Sequence, residues 1–502
     1  MRAWTPRPVI ISMVLCGLVA AIDIWIGWSD LALTDEGYLW YGTQRVLHGE
    51  WPVKDFYSYD PARHLWSAAW QFLLGESILT LRIALWVFAA VGLTCGLLVA
   101  ERVIRSTTGL VAAAALFIAW MVPRHKRIDC VLPLVAVLAA VSLIEGRDLR
   151  SHVRAGIVAG VIAFFGRNHG VYVIVGLTAV TWFVAPPQRW AFVRRLGGLL
   201  AGAVIGYLPM LLLWAVYPSF LPMVLRLSSQ IAGNRGVLGG VPWPWSAATP
   251  RGFVIGMFFV AVPVLYLVVA ARLLRRRRSL RMPYDSVCLA TTAIGIPYLH
   301  HAFIQPGPLH LAQAAAPFLL LAMTLVAESW RRRSAQRRVW TVAGAVLLII
   351  GSACAVLPIW EPYRVLRNPQ SFSRMEVDGV TLVVKDSMRP RLRLFRQFEA
   401  AVGEDQVLIA PRWPGVYAML DKRAPTYHDY MMWSTGPDGD RELINDLDAA
   451  DVRWVMINNR RTGDRTFGAL YPQTMDHIRE TFEEIEFEGQ PSGVHIFRRD
   501  PS

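Results

Sequence analysis

Charge is scarce in this sequence. Of its 502 residues 18% are Asp, Glu, Lys or Arg, against about 25% in an ordinary soluble domain, and 54% are hydrophobic. That balance excludes a chain that is soluble throughout. Acids are the scarcer sign, 37 against 51 Lys and Arg, for a net charge of +14. In a soluble protein such a surplus would suggest nucleic acid. Here the basic residues gather between apolar runs, most densely at Arg272 with Arg275 to Arg278, and at Arg331 to Arg333 with Arg337 and Arg338. Positive clusters in short loops mark the cytoplasmic side of a membrane. Nucleic acid is therefore excluded as a partner, and membrane lipid takes its place. Cysteine is also sparse, five residues with none beyond Cys354, so the C-terminal part has no disulfide framework. Internal repeats and low-complexity tracts are both lacking.

What is present is a series of apolar runs, read at about 20 residues per span as about eleven crossings. They lie near 8–28, 79–100, 107–122, 130–144, 153–165, 171–184, 196–217, 252–271, 286–303, 311–327 and 339–359. The first follows Arg2 and Arg7 as a signal peptide would, but is long enough to span and stay. With the N-terminus cytoplasmic, the basic loops alternate onto one side. The other side then holds 29–78, 123–129, 166–170, 218–250, 304–310 and the tail from Trp360. The basic loop PRHKRID at 123–129 breaks this rule, which suggests a second task such as an anionic ligand. GRNHG at 166–170 interrupts a span, leaving two short helices meeting at a point or one kinked helix. Irregular backbone at membrane depth survives only against protein or a wet cavity, so the break suggests a site.

Beyond Trp360 the apolar runs shorten and acids increase. VLIA at 407–410 and VRWVMINN at 452–459 read as strands, RELINDLDAA at 441–450 and HIRETFEEI at 477–485 as helices. The predicted organisation is a polytopic α-helical membrane domain over 1–359 and a soluble α/β domain over 360–502.

The richest stretch runs from Ser29 to Ser77. Aromatic residues crowd it, including Tyr38, Trp40, Tyr41, Trp51, Phe56, Tyr57, Tyr59, Trp66 and Trp70. Tyr and Trp gather where an apolar body meets a polar tip, so the loop reads as an interfacial platform. It also carries adjacent acids, Asp35 and Glu36. A positioned carboxylate deprotonates a hydroxyl acceptor, and a carboxylate pair holds a divalent cation. The competing reading makes Thr34, Asp35 and Glu36 the capped start of a helix to Val46. Asp129, at the head of the fourth span, carries the same two readings.

Cations for a phosphate are Arg124, Lys126, Arg127, Arg167, Arg226 and Arg235. Arg167 is the sharpest, because a charge at a membrane break is costly unless paired; the competing reading has it snorkelling to the interface. His169 lies in the same break. His300, His301 and His310 surround FIQPGPL and either orient a phosphate, bind a metal, or are interfacial polar residues. The 218–250 segment reads as a long Gly-rich loop, an entry gate for a lipid or a plain linker.

Several of these pieces resemble the GT-C superfamily of membrane glycosyltransferases that use polyprenyl-phosphate sugars, among them protein O-mannosyltransferases and lipid A aminoarabinose transferases. They are TDEGYLWYGTQRVLHGEWPVKDFYSYDPARHLW after the first span, RIDCVLPLVAVLAAVSLI, AGIVAGVIAFFGRNHGVYVIVGL, LHLAQAAAPFLLL, and VLIAPRWPGVYAMLDKRAPTYHDY in the tail. The resemblance implies an inverting transferase in the inner, cytoplasmic membrane, with the C-terminal domain periplasmic or extracellular. The donor would be a polyprenyl-phosphate-linked sugar and the acceptor a glycan, lipid or protein. Asp35 would be the general base, Glu36 an orienting or metal-contacting carboxylate and Asp129 the second-loop acid. Arg167 would hold the lipid-linked phosphate, and His310 would line the site. No motif demands a cofactor; a divalent metal, Mg, Mn or Zn, would fall to Asp35, Glu36, Asp129 and His310. FIQPGPLHL departs from the family, where Arg-x-Asp often precedes the His-Leu pair, and Arg stands at 167 where relatives have Lys. A transporter would instead show two related halves and charges at the midplane; a non-catalytic scaffold of envelope glycan assembly would use the tail for docking.

Overall fold

The computed structural model describes the chain except residues 1–4, 59, 187, 219, 234–239, 278, 332–334, 433, 460–465 and 501–502, and except the side chains of 226–228, 230–233, 335 and 337. Helices dominate as far as Arg367. In order they are α1 (Arg7–Ile26), α2 (Asp35–Leu47), α3 (Pro61–Leu74), α4 (Ile78–Ala100), α5 (Thr107–Ala119), α6 (Arg127–Gly146), α7 (Leu149–Phe165) and α8 (Arg167–Val184). There follow α9 (Arg189–Gly206), α10 (Leu208–Val216), α11 (Phe220–Gly233), α12 (Pro250–Arg275), α13 (Tyr284–Ile304), α14 (Pro308–Trp330), α15 (Ala335–Val356) and α16 (Glu361–Arg367). Each of the eleven predicted apolar runs falls largely on helix. Among the described residues seven helical stretches are long and apolar enough to span, up to eight if the 58° bend between α9 and α10 lies within one span. The protein is a polytopic, mainly helical membrane protein.

The tail completes the element order with β1 (Phe372–Val377), β2 (Val380–Lys385), α17 (Arg389–Val402), β3 (Gln406–Ala410), α18 (Pro414–Leu420), α19 (Gly436–Ala449), β4 (Val452–Asn458), α20 (Phe467–Leu470), α21 (Pro472–Thr481), β5 (Glu483–Ile485) and β6 (Val494–Arg498). β1 and β2 form an antiparallel hairpin; the second sheet has the order β3-β4-β6-β5, with β3 and β4 parallel. The strands expected at 407–410 and 452–459 and the helix at 441–450 are present. The helix expected over 477–485 stops at Thr481, because EEI pairs at the sheet edge with β6. An apolar core of Leu408, Val455, Ile457, Leu447, Phe467 and Phe497 lies beneath this sheet.

The chain divides into two compact units. One comprises Met1–Ile22, Ile83–Ala215 and Leu238–Arg364; the other comprises Asp23–Arg82, Val216–Val237 and Val365–Ser502. The segment after the first helix therefore folds with the tail.

Within the first unit the GRNHG break is a reversal. Gly166 leaves the helix at φ −170°, ψ 108°, and α8 begins at the next residue. α7 and α9 then pack with their backbones nearly touching. A Cβ at Gly156 would lie 2.0 Å from the Leu199 carbonyl oxygen, and one at Gly202 would lie 2.1 Å from that of Val153. Gly160 meets Ala203, and Gly206 meets Ile157, so the contacts ascend together and the two helices are parallel. α8 must return the chain between them, which rules out the single kinked span. Small residues four apart allow such approach where lipid offers no hydrophobic drive. The 218–250 segment is not a plain loop: α11 occupies 220–233, and a 3-10 turn occupies Pro244–Ser246.

Candidate functional site: the Asp35 constellation and the His169 network

In the second unit, α2 brings the two acids to opposite tasks. Thr34 makes no side-chain cap bond, and both acids sit in the first helical turn, where the helix dipole favours negative charge. Glu36 is buried and held by Arg82: Nε donates to Oε1 at 2.9 Å, and Nη2 donates to Oε2 at 3.0 Å. The same guanidinium donates to the Trp28 and Asp30 carbonyls, both at 2.7 Å. This fork is geometrically complete, and it makes Glu36 a strut that fixes the start of α2. Arg82→Met would leave that carboxylate buried without its fork, at a cost of ~3–5 kcal/mol. Adding Glu36→Leu to it is expected to restore most of the thermal stability of the purified chain. A single Arg82→Met variant as stable as the parent would refute the strut.

Asp35 is wetter, with 38% of its side chain exposed. Its Oδ1 accepts from the Tyr430 hydroxyl at 2.5 Å and lies 4.0 Å from Arg412 Nη2. Arg412 also donates to the Tyr430 hydroxyl at 2.9 Å and lies over its ring. Tyr430 is buried and stacked on Tyr38, with ring centroids 5.0 Å apart. Burial first, then the Asp35 charge, pushes the Tyr430 phenol well above its usual value, so it remains a donor.

The backbone explains how α2 reaches the tail. A Cβ on Gly37 would fall 2.6 Å from Gly415 Cα at the start of α18, and the Gly415 amide donates to the Leu33 carbonyl. Further along, the Ala424 amide donates to the Tyr41 hydroxyl, Tyr41 stacks on Tyr417, and the Tyr57 amide donates to the Tyr427 carbonyl. Arg45 bridges Glu50 and Asp429; burial pushes Asp429 up to about 6 despite the opposing pull of Arg45. His64 packs edge-on under Tyr38, and burial, then the Arg63 charge, lowers it to about 3. Much of the aromatic cluster expected at the headgroup layer is thus the joint between the first loop and the tail. Trp40, Tyr41, Phe56 and Tyr57 are buried there.

The first unit holds a separate polar network. Asp129 is the third residue of α6, buried inside the helix rather than capping it. Its Oδ1 lies 2.9 Å from His169 Nε2, and His169 Nδ1 lies 2.9 Å from the Tyr298 hydroxyl. His301 stacks obliquely on both His169 and His310 with centroids 5.4 Å apart, and its Nε2 is 2.9 Å from Gln313 Oε1. Tyr172 bonds His300 at 2.8 Å. Arg127 lies 3.6 Å above the Trp86 ring, a cation–π contact, and Arg124 approaches Glu361 at 4.0 Å. Arg167, half-buried, opens α8, and Lys126 is half-buried at the head of α6. Arg235, Tyr59 and the side chain of Arg226 lie outside the described residues. Tyr298, Gln313, Arg82, Arg412 and Tyr430 escaped the sequence reading, because a lone Arg, Tyr or Gln carries no local signal of the partner it meets in the fold.

A divalent cation finds no ready cage. Among the described residues no three His, Cys, Asp or Glu side chains converge closely enough to hold one. The donors proposed for it are otherwise engaged, Glu36 by Arg82 and Asp129 by His169.

No protein-family model matches the chain, and no curated protein matches it. Solved structures do. ArnT from Cupriavidus metallidurans bound to undecaprenyl phosphate is similar over 97% of this chain and 97% of its own, with TM-score 0.54 and 13% identity. The mycobacterial arabinofuranosyltransferase AftD matches all of this chain over 40% of its own length, with TM-score 0.50 and 13% identity. The Archaeoglobus fulgidus oligosaccharyltransferase in complex with Zn and sulfate matches 97% of this chain over 73% of its own, with TM-score 0.45 and 13% identity. With its apolar helices and its small C-terminal sheet region, the chain shares the fold of the solved ArnT and AftD structures.

Proposed function

We propose that this protein is an inverting glycosyltransferase that moves a sugar from a polyprenyl-phosphate donor to an acceptor hydroxyl at the outer face of the cytoplasmic membrane. The observation that carries this reading is that, in a chain with the fold of ArnT, Asp35 just after the first helix is partly exposed, accepts from the Tyr430 hydroxyl and has the Arg412 guanidinium 4.0 Å away. Asp35 takes the proton of the acceptor hydroxyl as its oxygen bonds to the anomeric carbon. The bond from that carbon to the phosphate oxygen breaks, and its electron pair leaves on the polyprenyl phosphate. Phosphate is already a good leaving group, so cationic stabilisation matters more than acid catalysis. Arg167 is assigned that phosphate, with Lys126 and Arg127 as further cations. Attack from the face opposite the leaving group inverts the sugar carbon, and a lipid-tethered donor lowers the entropic cost of encounter. In this reading the N-terminus is cytoplasmic and residues 360–502 form an exoplasmic domain. The occurrence of undecaprenyl phosphate in the ArnT neighbour supports a lipid-linked donor. The metal expectation does not fit the donor geometry and is not part of the mechanism.

The test is to incubate the purified chain with undecaprenyl-phosphate-linked radiolabelled hexose and pentose and a total envelope extract as acceptor. Label is expected to enter acceptor with the opposite anomeric configuration and unchanged yield in chelator. Retention of configuration would remove Asp35 as base, and no transfer from any such donor would remove the reading.

A further inference from the structure

Two polar neighbours of Asp35 come from the other end of the sequence. Tyr430 lies 395 positions beyond Asp35. Arg412 follows the carboxyl end of β3, the edge where open α/β sheets place ligand-binding side chains.

We infer that Tyr430 and Arg412 of the tail are positioning residues for Asp35, the phenol and the guanidinium together fixing the orientation of the carboxylate that receives the acceptor proton. This rests on the reading of Asp35 as the base.

Three observations carry it. The Tyr430 hydroxyl donates to Asp35 Oδ1, and the guanidinium reaches both groups, so the three form a closed triangle. The phenol has no freedom to rotate away: it is buried, stacked on Tyr38, and followed by Met431, whose amide donates to the Pro411 carbonyl. Tyr38 in turn rests edge-on against His64 and donates to the Tyr57 carbonyl at 3.2 Å. The triangle is therefore held by its surroundings rather than by its own bonds, as a group positioned for reaction must be. A carboxylate has about four lone-pair sites, and the Tyr430 hydroxyl engages one of them on Oδ1. The neighbouring acid is committed elsewhere, because Glu36 is forked by Arg82. The charged and titratable groups facing Asp35 in this triangle are thus Tyr430 and Arg412. An ordinary structural contact would lower stability; a positioning contact to an ionised base must also set where that base titrates, since donors to a carboxylate favour its charged form.

The experiment compares wild type with Asp35→Asn, Tyr430→Phe, Arg412→Met and Arg412→Lys, as full-length chains in detergent. The donor is whichever undecaprenyl-phosphate-linked hexose or pentose the wild type turns over. Tyr430→Phe keeps the ring and its stacking. It is expected to lower kcat about tenfold or more, to leave the donor KM within about twofold, and to move the acidic limb of the pH profile to higher pH. Arg412→Met is expected to do the same, with Arg412→Lys recovering part of the loss. If Asp35→Asn is inactive while Tyr430→Phe and Arg412→Met keep the wild-type kcat and acidic limb, the inference falls and the base stands. A fall in kcat with an unmoved acidic limb reduces both contacts to structural ones and also overturns it. Full activity in Asp35→Asn removes the base and the inference together.

Discussion

Asp35→Asn is expected to lower the rate of sugar transfer by about 10²–10⁴-fold, the range supplied by a positioned general base, while leaving the chain folded. The asparagine keeps the shape of the side chain and still accepts from Tyr430, so the α2 start and its Glu36–Arg82 strut are retained. What it loses is basicity. The loss is therefore expected in kcat, with the donor KM nearly unchanged, because no donor-binding contact has been assigned to that carboxylate. Asp35→Glu is informative beside it: a base is present, but one methylene displaced, and about 1 Å of misplacement is costly in an oriented site. Wild-type transfer by the Asp35→Asn variant, measured with the same labelled donor, would end the base assignment regardless of the fold.

Gly156→Leu is expected to have the largest effect on folding. The carbonyl oxygen of Leu199 lies 2.0 Å from where a Cβ would be, and the Ala203 amide nitrogen lies 2.9 Å from it. Both are backbone atoms of a helix, so a rotamer change on the partner does not relieve the clash. The same holds at Gly160, Gly202 and Gly206, so α7 and α9 would have to separate along their whole contact. Overpacking of this kind typically costs ~1–3 kcal/mol when side chains can adjust, and here they cannot. The expected result is a collapsed yield of monodisperse protein in detergent and loss of protection from protease. Gly197→Leu is the control, since nothing lies within 4 Å of its Cβ position. Equal yields for the Gly156 and Gly197 variants would disprove the close packing of α7 on α9.

Glu36 and the aromatic residues illustrate where a local reading misleads. Two adjacent acids after a membrane span look alike in sequence, and nothing short of the Arg82 fork separates a strut from a candidate base. The tyrosines of the first loop look like a headgroup belt, because the residue types that suit an interface also suit a joint between packed segments. In the tail, HIRETFEEI carries a helical pattern whose last three residues are taken by the edge of a sheet. Pairing with β6, further along the chain, decides that.

The sequence by itself determined the membrane class, the positions of the apolar helices and the α/β nature of the tail. Each is written in composition, in local periodicity or in a charge set among apolar residues, and these survive without knowledge of distant partners. Only the tertiary structure decided that Gly166 is a reversal, that the loop after α1 folds with residues 365–502, and that Tyr430 and Arg412 address Asp35. Those facts depend on contacts between residues tens to hundreds of positions apart, which chain folding creates and no local spacing encodes.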